Sequence, residues 1–250
     1  MIGFEIVGGL GNQMFQYAYI RTVAEKNNYK FSICTDNYIG TWVEFLLTET
    51  FPELLLNYNL PNNYINRISD EGFDYKEHLL NLQDNVKVTG FFQNYKYFKN
   101  SPVKDWFKIK FSEKEQYIAN EFLRNYPPYE YTYVHFRGGD FYHTNSDNDC
   151  VRTEIEFYDR AKNYVDIKKF VCITDDPERA KIHTGINECI CNTPRIDLFL
   201  LEQSKNLIIP YYTTFSWWGA YLSNAEKIIT PINRGKRGCS AIETEGFTYI

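Results

Sequence analysis

Apolar positions divide the chain into an ordered start, an irregular middle and a regular second half. Residues 4–7 (FEIV) predict a strand, and glycines follow it directly. Beyond the glycines, one set of positions recurs at i, i+3, i+4, i+7 and i+8, the spacing of one helix face. These positions are Phe15, Ala18, Tyr19, Thr22 and Val23. The chain therefore opens as a strand, a glycine-rich turn and a helix.

The second half repeats apolar runs of strand length, separated by helical stretches. The runs are YTYVHF (131–136), FVCIT (170–174), LII (207–209) and KIIT (227–230). Strands that alternate with helices predict a parallel sheet in an α/β fold. After Thr174, either Asp175 or Asp176 can cap the next helix, and Pro177 suits its first turn.

The middle of the chain, residues 36–128, has little periodicity. It predicts helical pieces near 44–56 and 113–126 and a strand at 86–92. Pro127 and Pro128 end this region, since proline lacks an amide donor and restricts the residue before it. A chain of 250 residues can form two modest lobes. We therefore predict an N-terminal lobe of residues 1–127 and a C-terminal lobe of residues 128–250.

Composition and charge narrow the classes of function. The chain is 44% hydrophobic and 24% charged, which is typical of a folded globular protein. Its net charge of −5 and the lack of a long basic run argue against nucleic acid as a partner. Arg234, Lys236 and Arg237 form a short basic group, interpreted as a solvated tail, with weak contact to an anionic membrane surface as the alternative.

Cysteine usage and hydropathy indicate the compartment. None of the 6 cysteines forms a C-x-x-C pair, and Cys172 and Cys191 lie in apolar stretches typical of buried free thiols. No leader pattern precedes Gly8, and no apolar run approaches the roughly 20 residues that span a bilayer. We expect a cytoplasmic protein with no transmembrane segment, or one that is peripheral at the inner face of the membrane.

The segment GGLGNQMFQYA (8–18) contains the small residues of a phosphate-binding turn. Met14 stands where the dinucleotide fingerprint has its third glycine, so a dinucleotide fold is not supported. The turn still lets backbone amides and a helix N-terminus approach an anion, and the Asn12 amide can donate and accept hydrogen bonds. An ordinary structural turn is the alternative.

The segment HFRGGD (135–140) follows the strongest predicted strand, at the end where open α/β sheets bind ligands. Alternation places His135 and Arg137 on the same face. Arginine grips phosphate with two donors, and Gly138 and Gly139 allow close approach of the backbone. The alternatives are an ion pair between Arg137 and Asp140 and a core position for His135.

Two further segments carry polar groups at a strand end or a helix start. In TDDPE (174–178), an aspartate can accept from guanine N–H groups or ribose hydroxyls, although helix capping accounts for at least one of the pair. In TTFSWWGAYL (213–222), hydroxyl groups suit helix capping or phosphate contact, and Trp217 and Trp218 are assigned to the core. The hydroxyl residues are Thr213, Thr214 and Ser216.

Asp147 and Asp149 form a D-x-D pair, with which many nucleotide-sugar enzymes hold a divalent metal. They lie in the polar run HTNSDND (143–149) and not at a strand end, so we favour a solvated loop. His143 with Asp140 is an equally weak metal pair. We expect no metal and no other cofactor.

Five segments in order resemble the motif series of the GDP-fucose-dependent α1,2-fucosyltransferases, glycosyltransferase family 11. They are GGLGNQMFQYA, GFFQNYKYF (90–98), HFRGGD, TDDPE and TFSWWGAYL. The resemblance implies an α/β, GT-B-like fold of two facing Rossmann-like lobes, with a small N-terminal lobe on the acceptor side and GDP-fucose held mainly by the C-terminal lobe. It also implies an inverting, metal-free transfer of L-fucose to a glycan, at O2 of a terminal galactose, with lipid-linked glycans among the acceptors.

The same resemblance implies roles for single residues. Arg137 neutralises the diphosphate, His135 lies near the guanosine or the diphosphate, and Asp175 reads guanine. Thr214, Phe215 and Ser216 line the donor pocket. From the opposite lobe, the donor is reached by Gly9, Leu10, Gly11 and Asn12. The catalytic candidates are Arg137, His135 and Asp140, with Asp140 as the base and His143, Asp149 and Glu154 open for that task.

The chain departs from the family pattern at several points. Many members have a second arginine where Gly138 stands, and many have Asn-Ser where this chain has Tyr212 and Thr213. Animal relatives carry an N-terminal membrane anchor that is missing here, so we expect a bacterial-type soluble enzyme. The alternative functions are the same scaffold with another sugar nucleotide or linkage, and a non-catalytic glycan-binding protein.

Overall fold

The computed structural model of the protein describes residues 1–34, 46–54, 64, 66–70, 74–139, 155–232 and 243–250. The chain divides into two compact units, Met1–Lys108 and Ile109–Ile250. Each unit is built on its own parallel sheet. The predicted α/β class is therefore confirmed.

The first unit has a four-stranded sheet in the order β2-β1-β4-β3. Its strands are β1 (Ile2–Glu5), β2 (Phe31–Cys34), β3 (Asn66–Asp70) and β4 (Val86–Gly90). Its helices are α1 (Leu10–Asn27), α2 (Leu46–Thr50) and α3 (Val103–Trp106), with short 3-10 helices at Glu77–Leu80 and Tyr95–Tyr97. The predicted opening of strand, glycine turn and helix is confirmed, although β1 covers Ile2–Glu5 and not residues 4–7.

Helix α1 is buried on more sides than the one face that its spacing predicts. Tyr17 is fully buried, and its ring meets the rings of Phe31 and Trp106 edge-on at centroid distances of 5.9 and 6.4 Å. Tyr19 is also fully buried and stacks on Phe92 at 3.8 Å. Aromatic rings from β2, α3 and the segment after β4 thus surround α1 and fix the helix that follows the glycine turn.

The second unit has a six-stranded sheet in the order β10-β9-β8-β5-β6-β7. Its strands are β5 (Tyr131–Phe136), β6 (Lys169–Thr174), β7 (Cys189–Ile190), β8 (Asn206–Ile208), β9 (Lys227–Thr230) and β10 (Thr248–Tyr249). Its helices are α4 (Glu113–Asn125), α5 (Ile155–Ala161), α6 (Pro177–Thr184), α7 (Pro194–Glu202) and α8 (Thr214–Leu222). The four predicted strands are confirmed, with ends that differ by one residue at most.

Helices cover both faces of the second sheet. Tyr133 and Val171 pack against α4, α7 and α8 on one face. Val134 and Phe136 pack against α5 and α6 on the other face. Because successive side chains of a strand point to opposite faces, both sets must be apolar. This explains why the strands of this half form continuous apolar runs.

The boundary between the units follows Lys108 and lies earlier than the predicted boundary at Pro127. The reason is the packing of α4. Phe122 is buried, and its ring meets Tyr133 of β5 edge-on at 5.5 Å, so α4 belongs to the second unit. The Pro127 carbonyl accepts from the Tyr131 amide at 3.0 Å, so the prolines form a turn between α4 and β5 and not a linker.

In the irregular middle, the predictions are confirmed for α2, α4 and β4, whose bounds fall within the predicted segments. The polar sequence NRISD did not predict the strand β3.

No helix in the described ranges is both long and apolar enough to cross a membrane. The basic group Arg234, Lys236 and Arg237 lies outside the described residues.

The predicted burial is confirmed for two tryptophans and one cysteine and is wrong for a second cysteine. Trp217 and Trp218 belong to the core, at 7% and 0% exposure, as predicted. Cys172 is a buried free thiol, also as predicted, but Cys191 is free and exposed. Cys191 follows the end of the short strand β7, where the apolar layer has already ended.

Candidate active site

The carboxyl ends of β5, β6 and β8 lie at one edge of the second sheet, because β5 pairs in parallel with both neighbours. His135 is near the end of β5, Arg137 follows that strand, and Asp175 follows β6. Helix α8 begins at Thr214, in the segment after β8. The structure therefore brings the predicted donor-binding residues of this unit to the edge where open α/β sheets bind ligands.

His135 is 5% exposed, and its ring centroid lies 5.7 Å from that of Phe215. Burial, together with the charge of Arg137, lowers the pKa of His135 to about 3. The ring is therefore neutral at physiological pH. Its Nδ1 atom is buried and has no hydrogen-bond partner. A neutral ring with an unsatisfied nitrogen is suited to a hydrogen bond with a ligand and poorly suited to proton transfer.

The backbone around Arg137 is held from two sides. The Gly138 amide donates to Asp175 Oδ1 at 2.7 Å, and the Tyr212 hydroxyl donates to the Arg137 carbonyl at 3.0 Å. Gly139 has a φ of +29°, and a Cβ there would lie 2.6 Å from Asp175 Oδ2. Glycine is thus required for this close approach. Together these contacts fix the backbone of Arg137 directly after β5, and with it the position from which the charged guanidinium extends.

The two aspartates after β6 have different roles. Asp176 caps α6: its Oδ1 accepts from the Arg179 amide at 3.1 Å, and its Oδ2 pairs with Arg179 Nε at 3.2 Å. Asp175 is exposed and makes the contact with Gly138 instead. The prediction that capping accounts for at least one of the pair is confirmed, which leaves Asp175 as the candidate for a ligand.

Gly138 is the position at which many members of the predicted family have a second arginine. Here a Cβ at Gly138 would overlap the Cβ of Asp176. The aspartate that caps α6 therefore excludes any side chain at this position. Arg137 is the one guanidinium of the described part of this loop.

Helix α8 starts differently from the prediction. Thr213 is the N-cap residue, but its Oγ1 is buried and makes no capping bond. The Thr213 carbonyl accepts from Ser216 Oγ at 3.5 Å, and Ser216 is fully buried. Thr214 and Phe215 are half-buried. The Ser216 hydroxyl thus bonds to the helix start, and Thr214 and Phe215 are the more accessible residues of this segment.

In the first unit, the glycine loop follows β1. Gly8 has a φ of +81°, and Gly9 is the exposed N-cap of α1 with an extended backbone. Leu10 and Gly11 form the first turn of α1, where amides have no acceptor within the helix. The backbone N–H of Asn12 donates to the Gly9 carbonyl at 3.0 Å. The side chain of Asn12 is half-buried. The predicted helix N-terminus is therefore present, and its contact with a donor remains a prediction.

Two glutamines of the same segment, to which the sequence pattern assigned no role, hold this loop by hydrogen bonds. Gln13 Nε2 donates to the Gly8 carbonyl at 2.8 Å. Gln16 Oε1 accepts from the Val7 amide at 2.9 Å. Both glutamines are fully buried, so their amides replace the water that the loop backbone would otherwise bind. Two glutamines within the otherwise largely apolar stretch NQMFQYA are the sequence feature that could have predicted buried hydrogen bonds to the loop.

Two more polar residues near the loops were missed. Gln93 Nε2 donates to Asn12 Oδ1 at 2.8 Å, from within the motif GFFQNYKYF. Asp197, 7% exposed in α7, accepts from Asn192 Nδ2 at 2.9 Å and from the Asn192 amide at 3.4 Å. Burial, with a smaller contribution from the charge of Asp175, raises the pKa of Asp197 to about 7. An aspartate within the largely apolar helix segment RIDLFLL is the sequence feature that could have predicted this buried acid.

Several predicted residues lie outside the described residues. They are the candidate base Asp140, the D-x-D pair Asp147 and Asp149, and the alternatives His143 and Glu154. In the ranges that the structure does describe, no group of three or more His, Cys, Asp or Glu side chains is arranged to hold a metal ion. Metal-free transfer therefore stays a prediction.

The model of the family described as glycosyl transferase family 11 matches residues 1–237, which include all the motifs discussed above. The chain belongs to glycosyl transferase family 11. The prediction of a fucosyltransferase of this family is thereby confirmed. No curated protein is similar enough in sequence to match this family 11 enzyme.

Solved structures of similar fold include fucosyltransferases. NodZ α-1,6-fucosyltransferase co-crystallised with GDP has a TM-score of 0.56 at 12% identity, covering 94% of this chain and 96% of NodZ. NodZ from Bradyrhizobium in another structure has a TM-score of 0.53 at 11% identity, covering 91% and 94%. A glycosyl transferase family 9 protein from Veillonella parvula DSM 2008 has a TM-score of 0.52 at 9% identity, covering 100% and 86%. These likenesses confirm the GT-B-like α/β class of the family 11 enzyme.

Proposed function

We propose that the protein transfers L-fucose from GDP-fucose to a glycan hydroxyl, O2 of a terminal galactose, with inversion at the fucose anomeric carbon. The observation that carries the proposal is the strand-end site of the second unit within a family 11 chain. That GDP was bound by NodZ, a fucosyltransferase of similar fold, supports the choice of donor.

The site has the chemistry that departure of GDP requires. When the bond at fucose C1 breaks, negative charge grows on the diphosphate. A fixed cation and oriented amides stabilise that charge most effectively where water is excluded. Arg137 supplies the cation, and its backbone is held in place by Asp175 and Tyr212. The first turn of α8, beginning at Thr214, supplies the backbone amides of a helix N-terminus.

His135 acts in this proposal as a neutral hydrogen-bonding group. Its pKa of about 3 means that the imidazolium form is absent at neutral pH, so the ring cannot act as a general acid, while its one N–H can still donate a hydrogen bond. Its buried Nδ1 has no hydrogen-bond partner, which supports a contact with the diphosphate or the guanosine. We therefore assign His135 to donor binding, and we retain Asp140 as the candidate base that takes the acceptor proton.

Asp175 has two functions in this proposal. Its Oδ1 holds the Gly138 amide, and its carboxylate is exposed at the strand end. A carboxylate accepts hydrogen bonds from the N1–H and the amino group of guanine. If Asp175 binds guanine, the same side chain also holds the loop that carries Arg137. Recognition of the base is then coupled to binding of the diphosphate by Arg137.

The location and acceptor belong to the proposal as well. We place the enzyme in the cytoplasm or at the inner face of the membrane, with lipid-linked glycans among its acceptors. Cys172 and Cys189 are partners across β6 and β7, and both are free thiols. Thiols on neighbouring strands stay unbridged in a reducing compartment, which is consistent with this proposed placement.

The test is a transfer assay with GDP-fucose and a panel of galactose-terminated oligosaccharides, with products identified by mass spectrometry and NMR. We expect one added fucose, α-linked to O2 of galactose. Transfer from a different sugar nucleotide, or to a different hydroxyl, would replace the donor or the linkage in the proposal. Sugar binding without measurable GDP affinity would indicate the glycan-binding protein instead. Loss of transfer with EDTA, restored by Mn²⁺, would contradict the metal-free route.

A further inference from the structure

The motif GFFQNYKYF brings one buried amide to the glycine loop of the first unit. Strands β1 and β4 are parallel neighbours, so the loops that follow them emerge at the same edge of the sheet. From the second loop, Gln93 reaches across and donates to Asn12 Oδ1 at 2.8 Å. Gln93 is 7% exposed and Asn12 is half-buried, so this hydrogen bond is partly shielded from competing water.

The backbone before Gln93 is held in an unusual conformation. Gly90 has a φ of +147°, and a Cβ there would overlap the Asp70 carbonyl. Phe92 has a φ of +49°, a left-handed conformation that is costly for a bulky residue. The stack of the Phe92 ring on Tyr19, at 3.8 Å and an interplanar angle of 5°, stabilises this turn. Folding thus maintains a strained turn at the residue that precedes Gln93.

The hydrogen bond decides how the Asn12 amide is oriented. An asparagine amide has an acceptor end and a donor end. With Oδ1 accepting from Gln93, the donor end Nδ2 lies over Gly8, where a Cβ would approach it to 2.5 Å. The space over Gly8 and the hydrogen bond from Gln93 therefore contribute to the position and the polarity of this side chain. A correctly oriented donor is what an anionic leaving group needs.

We propose that Gln93 is a positioning residue for fucosyl transfer that acts through Asn12 and fixes the orientation of its amide. This inference rests on the proposed function, in which Asn12 contributes to the handling of the donor. It assigns a role to the motif GFFQNYKYF, which resemblance alone leaves without one.

A double-mutant cycle tests the inference. Gln93→Ala should lower kcat about tenfold while Asn12 is present, and Asn12→Ala should lower it at least as much. The double variant should be no slower than Asn12→Ala, because Gln93 then has nothing to orient. Rates that multiply in the double variant would overturn the inference, as would a Gln93→Ala enzyme with the normal kcat.

The matched control is another glutamine–asparagine pair. Gln116 Nε2 donates to Asn120 Oδ1 at 2.9 Å on the exposed surface of α4. Gln116→Ala should leave kcat unchanged.

Gln93→Glu is the second variant. An ionised carboxylate only accepts hydrogen bonds, so it would draw Asn12 Nδ2 toward itself and reverse the Asn12 side-chain amide. This variant should be slower than Gln93→Ala, and a rate equal to that of the wild type would contradict the proposal.

An NMR measurement separates failure of the inference from failure of the proposed function. The side-chain NH₂ signal of Asn12, assigned by its loss in Asn12→Ala, should shift in Gln93→Ala and stay in place in Gln116→Ala. An unshifted signal in Gln93→Ala would overturn the inference, whatever the activity. If the wild type transfers no fucose from GDP-fucose, the proposed function fails, while a shifted signal would still show that Gln93 holds Asn12.

Discussion

In the first unit the loop after β1 is held by neutral amides, whereas in the second unit the loop after β5 is surrounded by charged and titratable groups. Gln13, Gln16 and Gln93 bond the glycine loop and Asn12. Arg137 and Asp175 occupy the corresponding strand end of the second unit, with His135 buried beside them. The two units therefore apply different chemistry to the same strand–loop–helix arrangement.

This difference has physical consequences. Neutral amides do not titrate, so substitutions in the first loop should change rates in the same proportion at every pH. Beside the second loop lie His135 of β5, with a lowered pKa, and Asp197 of α7, with a pKa that burial and the charge of Asp175 raise. Dependence on pH and on salt should therefore come from the second unit.

Arg137→Ala should reduce kcat on the order of 10²-fold or more, because the charge that develops on GDP would lose its fixed cation. Steady-state kinetics with GDP-fucose measures this. Arg124→Ala is the control, since Arg124 is an exposed residue of α4 that pairs with Glu121. A near-normal kcat in Arg137→Ala would contradict the claim that Arg137 stabilises the departing GDP.

Asp197→Asn should change how stability depends on pH. The folded-state pKa of Asp197 is about 7, above its ordinary value of 3.8, so its contribution to stability is present at low pH and lost as pH rises to about 7. Between about pH 4.5 and pH 7, the wild type should lose about 3 kcal/mol relative to Asp197→Asn. Urea titrations over this range measure the difference. Asp159→Asn, at an exposed site, should show none.

His135→Gln should have the opposite effect in an overlapping range. The pKa of His135 is lowered from 6.5 to about 3, so its contribution is present above pH 6.5 and lost as pH falls. From pH 7 to pH 5 the wild type should lose about 2 kcal/mol relative to His135→Gln. The exposed His78, replaced by Gln, serves as the control. Parallel curves for wild type and His135→Gln would show that the buried ring does not resist protonation.

Gly138→Ala should destabilise the protein by roughly 1 to 2 kcal/mol, because its Cβ would overlap that of Asp176. Adding Asp176→Gly should recover most of this loss, since glycine is a tolerated N-cap and leaves space for the methyl group. Urea titrations of the two single variants and the double variant measure the coupling. Additive losses would mean that the α6 cap does not explain the glycine at 138.

Much of the second unit could be predicted from the sequence. Its strands are covered on both faces, so they form continuous apolar runs, and Arg137 and Asp175 follow two of them directly. The first unit was harder, because α1 is buried on several sides and β3 is polar. Long-range pairs had no local signal at all. Gln93 is 81 residues from Asn12, and the overlap of Gly138 with Asp176 depends on the pairing of β5 with β6.

The most direct test of the account is titration of GDP into the protein by calorimetry. The wild type should bind GDP, and higher salt should weaken this binding. Arg137→Ala should weaken GDP binding at least tenfold and remove most of its salt dependence. Asn12→Ala should retain the salt dependence of the wild type. Equal GDP affinity in wild type and Arg137→Ala at low salt would contradict the claim that the charged loop of the second unit holds the donor.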